Sequence, residues 1–202
     1  MTIHTVVFDI GNVLIEYDPR HLYRQFFDDQ DALMEHFLDN VCTAAWVLEQ
    51  DRGRSWADGV AALSAEHPEC AELIRAFDER WHDMVPGEIP GMSEILAELK
   101  ERGVPVYALS NFSREKYRSS QERFPFFELF DGLVVSAEVG LVKPDPAIWR
   151  VLLERYGLDP AGVLYIDDLT ENVAVAESLG MAAHQFSGAA KLRIDLEARG
   201  LL

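Results

Sequence analysis

The stretch Thr5-Val-Val-Phe-Asp9-Ile-Gly11-Asn-Val-Leu-Ile-Glu-Tyr17 drives a run of β-branched and aromatic residues into an acid and then a glycine. Val6, Val7 and Phe8 favour pleated backbone, and a continuous apolar run predicts a strand covered on both faces, as in a parallel sheet. Gly11 lets the chain turn sharply, or lets another group approach its backbone closely. Taken alone, the stretch reads equally as a core strand ending in a solvated Asp and as a strand that carries a nucleophile or metal ligand to a sheet edge.

Downstream, from about Asp18 to Met84, the pattern is helical and amphipathic. Met34, Phe37, Leu38 and Val41 recur at helix spacing, and Leu73, Ile74, Phe77 and Trp81 form a second stripe. Ser55-Trp-Ala-Asp58 opens a helix carrying Val60, Ala61 and Leu63. The charged link Leu48–Arg54 between apolar helices has side chains that could face a cleft. Pro86–Gly91, with two prolines and two glycines, marks a boundary.

Beyond it strands and helices alternate. A helix from about Met92 to Arg102 ends at Gly103, and a strand spans Val104–Leu109. Ser113 caps a polar helix through about Arg123, and Leu133–Ser136 is a short strand. Asp145-Pro146 caps a helix ended by Gly157, followed by a strand at Val163–Ile166. A helix over about Glu171–Leu179, a last strand at Ala182–Phe186 and a C-terminal helix complete the chain. This order predicts an α/β fold: a mostly parallel sheet flanked by helices on both faces, with an all-helical insertion after the first strand. Residues 1–17 and 86–202 form the expected sheet-bearing unit, and 18–85 the helical insertion.

Composition narrows the partners. The 202 residues are 49% apolar with a net charge of −17, which fits a globular core and argues against nucleic acid or an anionic membrane as partner. Cys42 and Cys70 lack metal-ligand spacing and read as small hydrophobes in a reducing compartment. No signal-peptide order opens the chain, and no apolar run approaches the roughly 20 residues of a spanning helix. A cytoplasmic location is expected.

The strands end on Asp9, on Ser110 with Asn111, and on Asp167 with Asp168, which brings acids, a hydroxyl and an amide to one edge of the sheet, where such sheets bind ligands. A carboxylate there can attack a phosphoryl group and split one displacement into two. A magnesium ion between Asp9 and the Asp167-Asp168 pair would offset the repulsion of a phosphate dianion, and hard oxygen ligands suit it. Ser110, Asn111 and Lys143, in Gly-Leu-Val-Lys-Pro-Asp-Pro, would hold the other phosphoryl oxygens.

Phe-Asp-Ile-Gly-Asn-Val-Leu at Phe8–Leu14, Leu-Ser-Asn at Leu109–Asn111, Val-Gly-Leu-Val-Lys-Pro-Asp-Pro at Val139–Pro146 and Tyr-Ile-Asp-Asp before Asn172 resemble, in order and spacing, the four motifs of the haloacid dehalogenase superfamily of aspartate-nucleophile hydrolases. Within it the chain is similar to members of subfamily I with a helical cap, the α-glucose-1-phosphatase kind and the phosphatase domain of soluble epoxide hydrolase. The resemblance implies a Rossmann-like catalytic core at 1–17 and 86–202 with a helical cap domain at 18–85, Asp9 as nucleophile, magnesium held by Asp9, the Gly11 carbonyl and Asp168 with Asp167 supporting, and phosphate held by Ser110 and Lys143. Asn111 and Asn172 match motif positions with supporting roles. Many phosphatases of the superfamily carry a second Asp two residues after the nucleophile, as acid and base. Here that position is Gly11; the adjacent Asn12 is a candidate for binding phosphate or substrate and can orient a water, but cannot take its proton.

The expected function is therefore magnesium-dependent hydrolysis of a small phosphorylated metabolite, a sugar phosphate, through an aspartyl-phosphate. Trp46, Asp51 and Arg52 of the cap are candidates for reading the rest of the substrate. Two other readings fit part of the pattern. A 2-haloacid dehalogenase would use Asp9 without a second Asp, but Asp167 and Asp168 would repel its substrate carboxylate. A non-catalytic phosphate-ester binding protein would explain Gly11.

Overall fold

The computed structural model describes residues 2–28 and 30–202; Met1, in the expected core, and Asp29, in the expected cap, lie outside the described residues. Five strands, β1 (Thr5–Phe8), β2 (Val106–Ser110), β3 (Gly132–Val135), β4 (Val163–Asp167) and β5 (Ala182–Gln185), pair in parallel in the order β3-β2-β1-β4-β5. Every residue of β1 is buried, as its unbroken apolar run requires at the centre of such a sheet. Phe8 stands opposite Ala108 on one side and Ile166 on the other. That register sets Asp9 beside Asp167, with Ser110 at the end of the neighbouring strand. The chain order reverses between β1 and β4, where α/β sheets open a ligand crevice.

Between β1 and β2 the chain forms α1 (Arg20–Phe27), α2 (Asp31–Asn40), α3 (Ala44–Asp51), α4 (Trp56–Glu66) and α5 (Ala71–Glu79). Their starts reflect local chemistry: the Thr43 hydroxyl accepts from the Trp46 amide, and the Ser55 hydroxyl from the Asp58 amide. After β1–α5 come α6 (Met92–Glu101), α7 (Arg114–Arg123), α8 (Ser136–Val139), α9 (Pro146–Tyr156), α10 (Thr170–Ser178) and α11 (Ala189–Ala198). One apolar layer joins Val6, Phe8, Leu164 and Ile166 of the sheet to α6 and α11; the other joins Val7, Leu109 and Tyr165 to α9 and α10. The first layer runs on without a break into Tyr23, Phe37, Trp46, Trp56 and Phe77, so the inserted helices share the core of the sheet.

Element ends depart from expectation for identifiable reasons. Pro105 has no N–H to pair, so β2 starts at Val106, although the Pro105 carbonyl still accepts from Val6. Ser136 leaves β3 and opens α8, where its hydroxyl serves other loops. Trp81 lies beyond α5 in a 3-10 turn, and Val41 just beyond α2. Among the described residues no helix is long and apolar enough to cross a membrane.

Candidate active site

Asp9 comes directly after the last residue of β1, and its amide donates to the Ile166 carbonyl of β4, at 2.8 Å. The Ile10 carbonyl accepts from Leu14 at 2.8 Å and from Ile15 at 3.1 Å, which folds the chain back at once. Three donors converge on Asp9 Oδ1: the Ile10 amide at 2.7 Å, the Ser110 hydroxyl at 2.9 Å and Lys143 Nζ at 2.9 Å. Oδ2 carries none of these bonds, which suits it to attack. Burial raises the Asp9 carboxyl to about 6; Lys143 works against the rise and the Asp167 charge adds to it.

Lys143 is 4% exposed. Its ammonium bonds Asp167 Oδ2 at 2.7 Å, Asp9 Oδ1 at 2.9 Å and the Tyr165 hydroxyl at 3.3 Å. Burial disfavours its charge, but the two carboxylates outweigh burial and raise its pKa. The backbone around it is clamped by Asn111, whose Nδ2 donates to the Lys143 carbonyl at 3.0 Å while its Oδ1 accepts from the Lys143 amide at 2.7 Å. Asn111 thus uses its oxygen and one of its two N–H donors on the lysine loop while lining the cavity beside it, and the Lys143-Pro144 peptide is cis.

Asp167 is fully buried and held from several directions: Tyr165 donates at 2.6 Å, Asn172 Nδ2 to both oxygens at 3.0 Å, and the Leu169 amide at 2.9 Å. Burial would raise its pKa, but Lys143, Tyr165 and Asn172 together lower it. Tyr165 was not singled out from the sequence, although the two-residue period of β4 puts it on the face of Asp167. The half-buried Asp168 has its carboxyl raised by burial and by Asp167.

One carboxylate oxygen each from Asp9, Asp167 and Asp168 lies within 4.8 Å of the others. Three acids against one ammonium leave an excess of negative charge in a confined volume, and a hard divalent cation with oxygen ligands fits this donor set. Magnesium at about 100 times its Kd is expected to stabilise the fold by ~2.7 kcal/mol. At ~2–4 °C per kcal/mol this raises the Tm by roughly 5–11 °C, measured by thermal denaturation with and without chelator. Asp168→Asn should remove most of that rise, and an undiminished rise in the variant would exclude Asp168 as a ligand.

Next to the strand-end turns, at Gly11, Ser110 and Asn111, lies a cavity of about 80 Å³ that Ile15, Tyr17, Asp51 and Phe112 also line. Of the substrate-reading candidates only Asp51 reaches it. Arg52 points outward and pairs with Glu49 at 2.6 Å, because the end of α3 turns its side chain to solvent. Trp46 is buried among the inserted helices, edge-on to Trp56, with its indole N–H on the Gly59 carbonyl at 3.3 Å. Asn12, exposed in left-handed backbone at φ 55°, accepts from the Tyr17 amide at 2.9 Å through Oδ1 and so braces the turn.

The remaining walls join elements far apart in the chain. Trp56 donates to the Ser113 hydroxyl at 2.7 Å, and Lys116 bonds Asp78 and lies 5.1 Å from the Trp56 ring centre. These residues tie α4 and α5 to α7. Trp56 follows the Ser55 cap and the Lys116 amide donates to the Ser113 cap, signals that speak of local structure and are silent about distant partners.

A family model described as haloacid dehalogenase-like hydrolase matches residues 3–180. The sesquiterpene phosphatase astK of Aspergillus oryzae is 34% identical over 182 residues, covering 89% of this chain and 88% of that protein. The pyrophosphatase PpaX of Bacillus velezensis is 25% identical over 181 residues, covering 87% and 79%. A magnesium complex of a haloacid dehalogenase family enzyme from Bacteroides thetaiotaomicron has the same fold, with a TM-score of 0.73 at 23% identity over 93% of this chain and 95% of that one. With the family model spanning most of the chain and the strand-end carboxylates, serine and lysine gathered at one edge of the sheet, the protein belongs to the haloacid dehalogenase-like hydrolases and is an enzyme of that family.

Proposed function

We propose that the protein is a magnesium-dependent phosphomonoesterase that works through an aspartyl-phosphate on Asp9, with the inserted helices, residues 18–85, acting as the cap. The observation that carries this reading is Lys143, buried between Asp9 and Asp167 at 2.9 and 2.7 Å beside a third carboxylate. Magnesium held by Asp9, Asp168 and the Gly11 carbonyl, with Asp167 in support, would offset charge between the dianion and these acids. Ser110 and Lys143 orient Asp9 through Oδ1 and are within reach of the phosphoryl oxygens that Oδ2 would face. Displacement of halide from carbon needs no such cation, and the acid trio would repel a haloacid carboxylate.

The cavity refines the substrate. Ile15, Tyr17, Val47, Trp56, Trp81 and Phe112 give it mainly apolar walls. A sugar would lose water from its hydroxyls there with few partners in return, so an ester with an apolar organic group fits better than the sugar phosphate expected from the sequence. The similarity to a sesquiterpene phosphatase supports the same choice. Each buried methylene contributes about 0.8 kcal/mol, so two or three favour an apolar ester by roughly tenfold or more. The check is kcat/KM for a prenyl phosphate, an aryl phosphate and a hexose phosphate. Faster turnover of the hexose ester would overturn the substrate class, and magnesium-independent turnover the reaction class.

A further inference from the structure

Expelling an alkoxide from phosphorus requires a proton, and hydrolysing the aspartyl-phosphate requires a base. The sheet edge has neither to spare. Asp9 is the nucleophile, Lys143 is held between two carboxylates, Ser110 is committed to Asp9, and Asp167 and Asp168 belong to the acid cluster. Gly11 supplies no side chain, and a Cβ built on it meets nothing within 4 Å, so open space lies beside the nucleophile.

Across that space the titratable groups lining the cavity are Asp51, Tyr17 and Lys116. Lys116 is paired with Asp78. Burial raises the Tyr17 phenol far above neutrality, so it cannot alternate between acid and base. Asp51 remains. It is the last residue of α3, and it is tied to the sheet edge through its backbone: its carbonyl accepts from the Ser136 hydroxyl at 2.5 Å, and that hydroxyl accepts from the Phe112 amide at 2.9 Å. The Ser113 amide faces its carboxylate. Gly53 lets the chain leave at φ 118°, where a Cβ would stand 3.3 Å from the Ala137 carbonyl. The carboxylate is not among the three that cluster for a metal.

We propose that Asp51, carried on the inserted helices, is the general acid and base that the strand-end turn lacks. The proposal rests on the phosphatase reading, and its two steps balance in atoms and electrons. Asp9 Oδ2 bonds to phosphorus while the ester P–O bond breaks, and the departing oxygen takes the electron pair of that bond and the Asp51 proton. Water then attacks phosphorus and gives a proton to Asp51, and the bond from Asp9 to phosphorus breaks to release phosphate and the free carboxylate. Burial holds the Asp51 carboxyl at about 7, with the Ser113 amide opposing, Asp9 adding and Lys143 subtracting. Tyr17 and Lys116 face it from the walls, Asp18 lies beyond Tyr17, and on its own stretch Arg52 is paired with Glu49 and Arg54 bonds Gln50.

The test uses leaving groups of different acidity. In Asp51→Asn, kcat/KM for an alkyl phosphate should fall by about 10²–10³-fold, within the range of general acid catalysis, whereas a nitrophenyl phosphate, which needs no proton, should lose less than about tenfold. The variant should also show a burst of nitrophenol as aspartyl-phosphate accumulates. Gly11→Asp in the Asp51→Asn background should recover alkyl ester turnover by roughly tenfold or more, since the new carboxyl enters open space. Equal losses for both esters, or no loss, would overturn the role of Asp51 and leave the phosphatase reading standing. A wild-type enzyme inert toward both esters would remove that reading and this proposal with it. Wild-type rates alone provide a measurement independent of the variant's folding: kcat/KM that varies little with leaving-group acidity supports a supplied proton, and a steep dependence overturns it.

Discussion

Asp9→Asn is expected to lower turnover of a phosphate ester by on the order of 10⁵-fold, the scale seen when an enzyme loses its nucleophile. The carboxamide cannot form the acyl-phosphate, so mass spectrometry of acid-quenched enzyme should show the phosphate adduct in the wild type and none in the variant. The loss should be almost purely chemical. All three donors on Asp9 bond Oδ1, and the Asn oxygen can keep them. The substitution also removes a carboxylate whose charge burial disfavours, so the fold should change by less than about 1 kcal/mol. Activity within tenfold of wild type would exclude Asp9 as nucleophile, and a collapse of the Tm would mean that its role is chiefly structural.

Lys143→Ala should have the largest effect on stability. It leaves Asp9 and Asp167 buried without their shared cation, a situation that costs about 3–5 kcal/mol. At ~2–4 °C per kcal/mol for a chain of this size, the Tm should fall by roughly 6–20 °C. The pH dependence has a definite sign. Without the ammonium both carboxyls titrate higher in the fold than in the unfolded chain, so stability is retained at low pH and lost as pH rises through their folded values. The deficit of the variant should therefore be larger at pH 8 than at pH 5, in contrast to a simple cavity, which would be insensitive to pH. Magnesium should raise the Tm of the variant more than that of wild type, because it neutralises the same acids. A deficit that neither pH nor magnesium alters would show that the lysine stem, and not its charge, holds the site.

Strand ends and helix starts were legible because their causes are local. The run Val6–Phe8 into Asp9, the hydroxyls of Ser55 and Ser113 and the Asp145-Pro146 start all act within a few residues, and all recur in the structure. The candidate site was legible in the same measure: Asp9, Ser110, Asp167 and Asp168 each close a buried strand or stand next after its last residue. Asn12, Asn111 and Arg52 have local partners that the sequence does not show, because an amide or a guanidinium suits a ligand as well as it suits a neighbouring backbone or carboxylate. Which partner it takes depends on where the backbone turns next.

The order of strands and helices, the residue type at each strand end and the lack of an acid at Gly11 follow from the chain read in order, since periodicity, caps and turns are written in adjacent residues. Folding alone brings Ser110 to Asp9 across 101 positions, sets Lys143 between two acids and places Asp51 and Gly11 in the walls of one cavity. Those meetings depend on strand register and on how the inserted helices pack over the sheet edge, which are set by burial of apolar surface summed over the whole chain and not by any stretch of it.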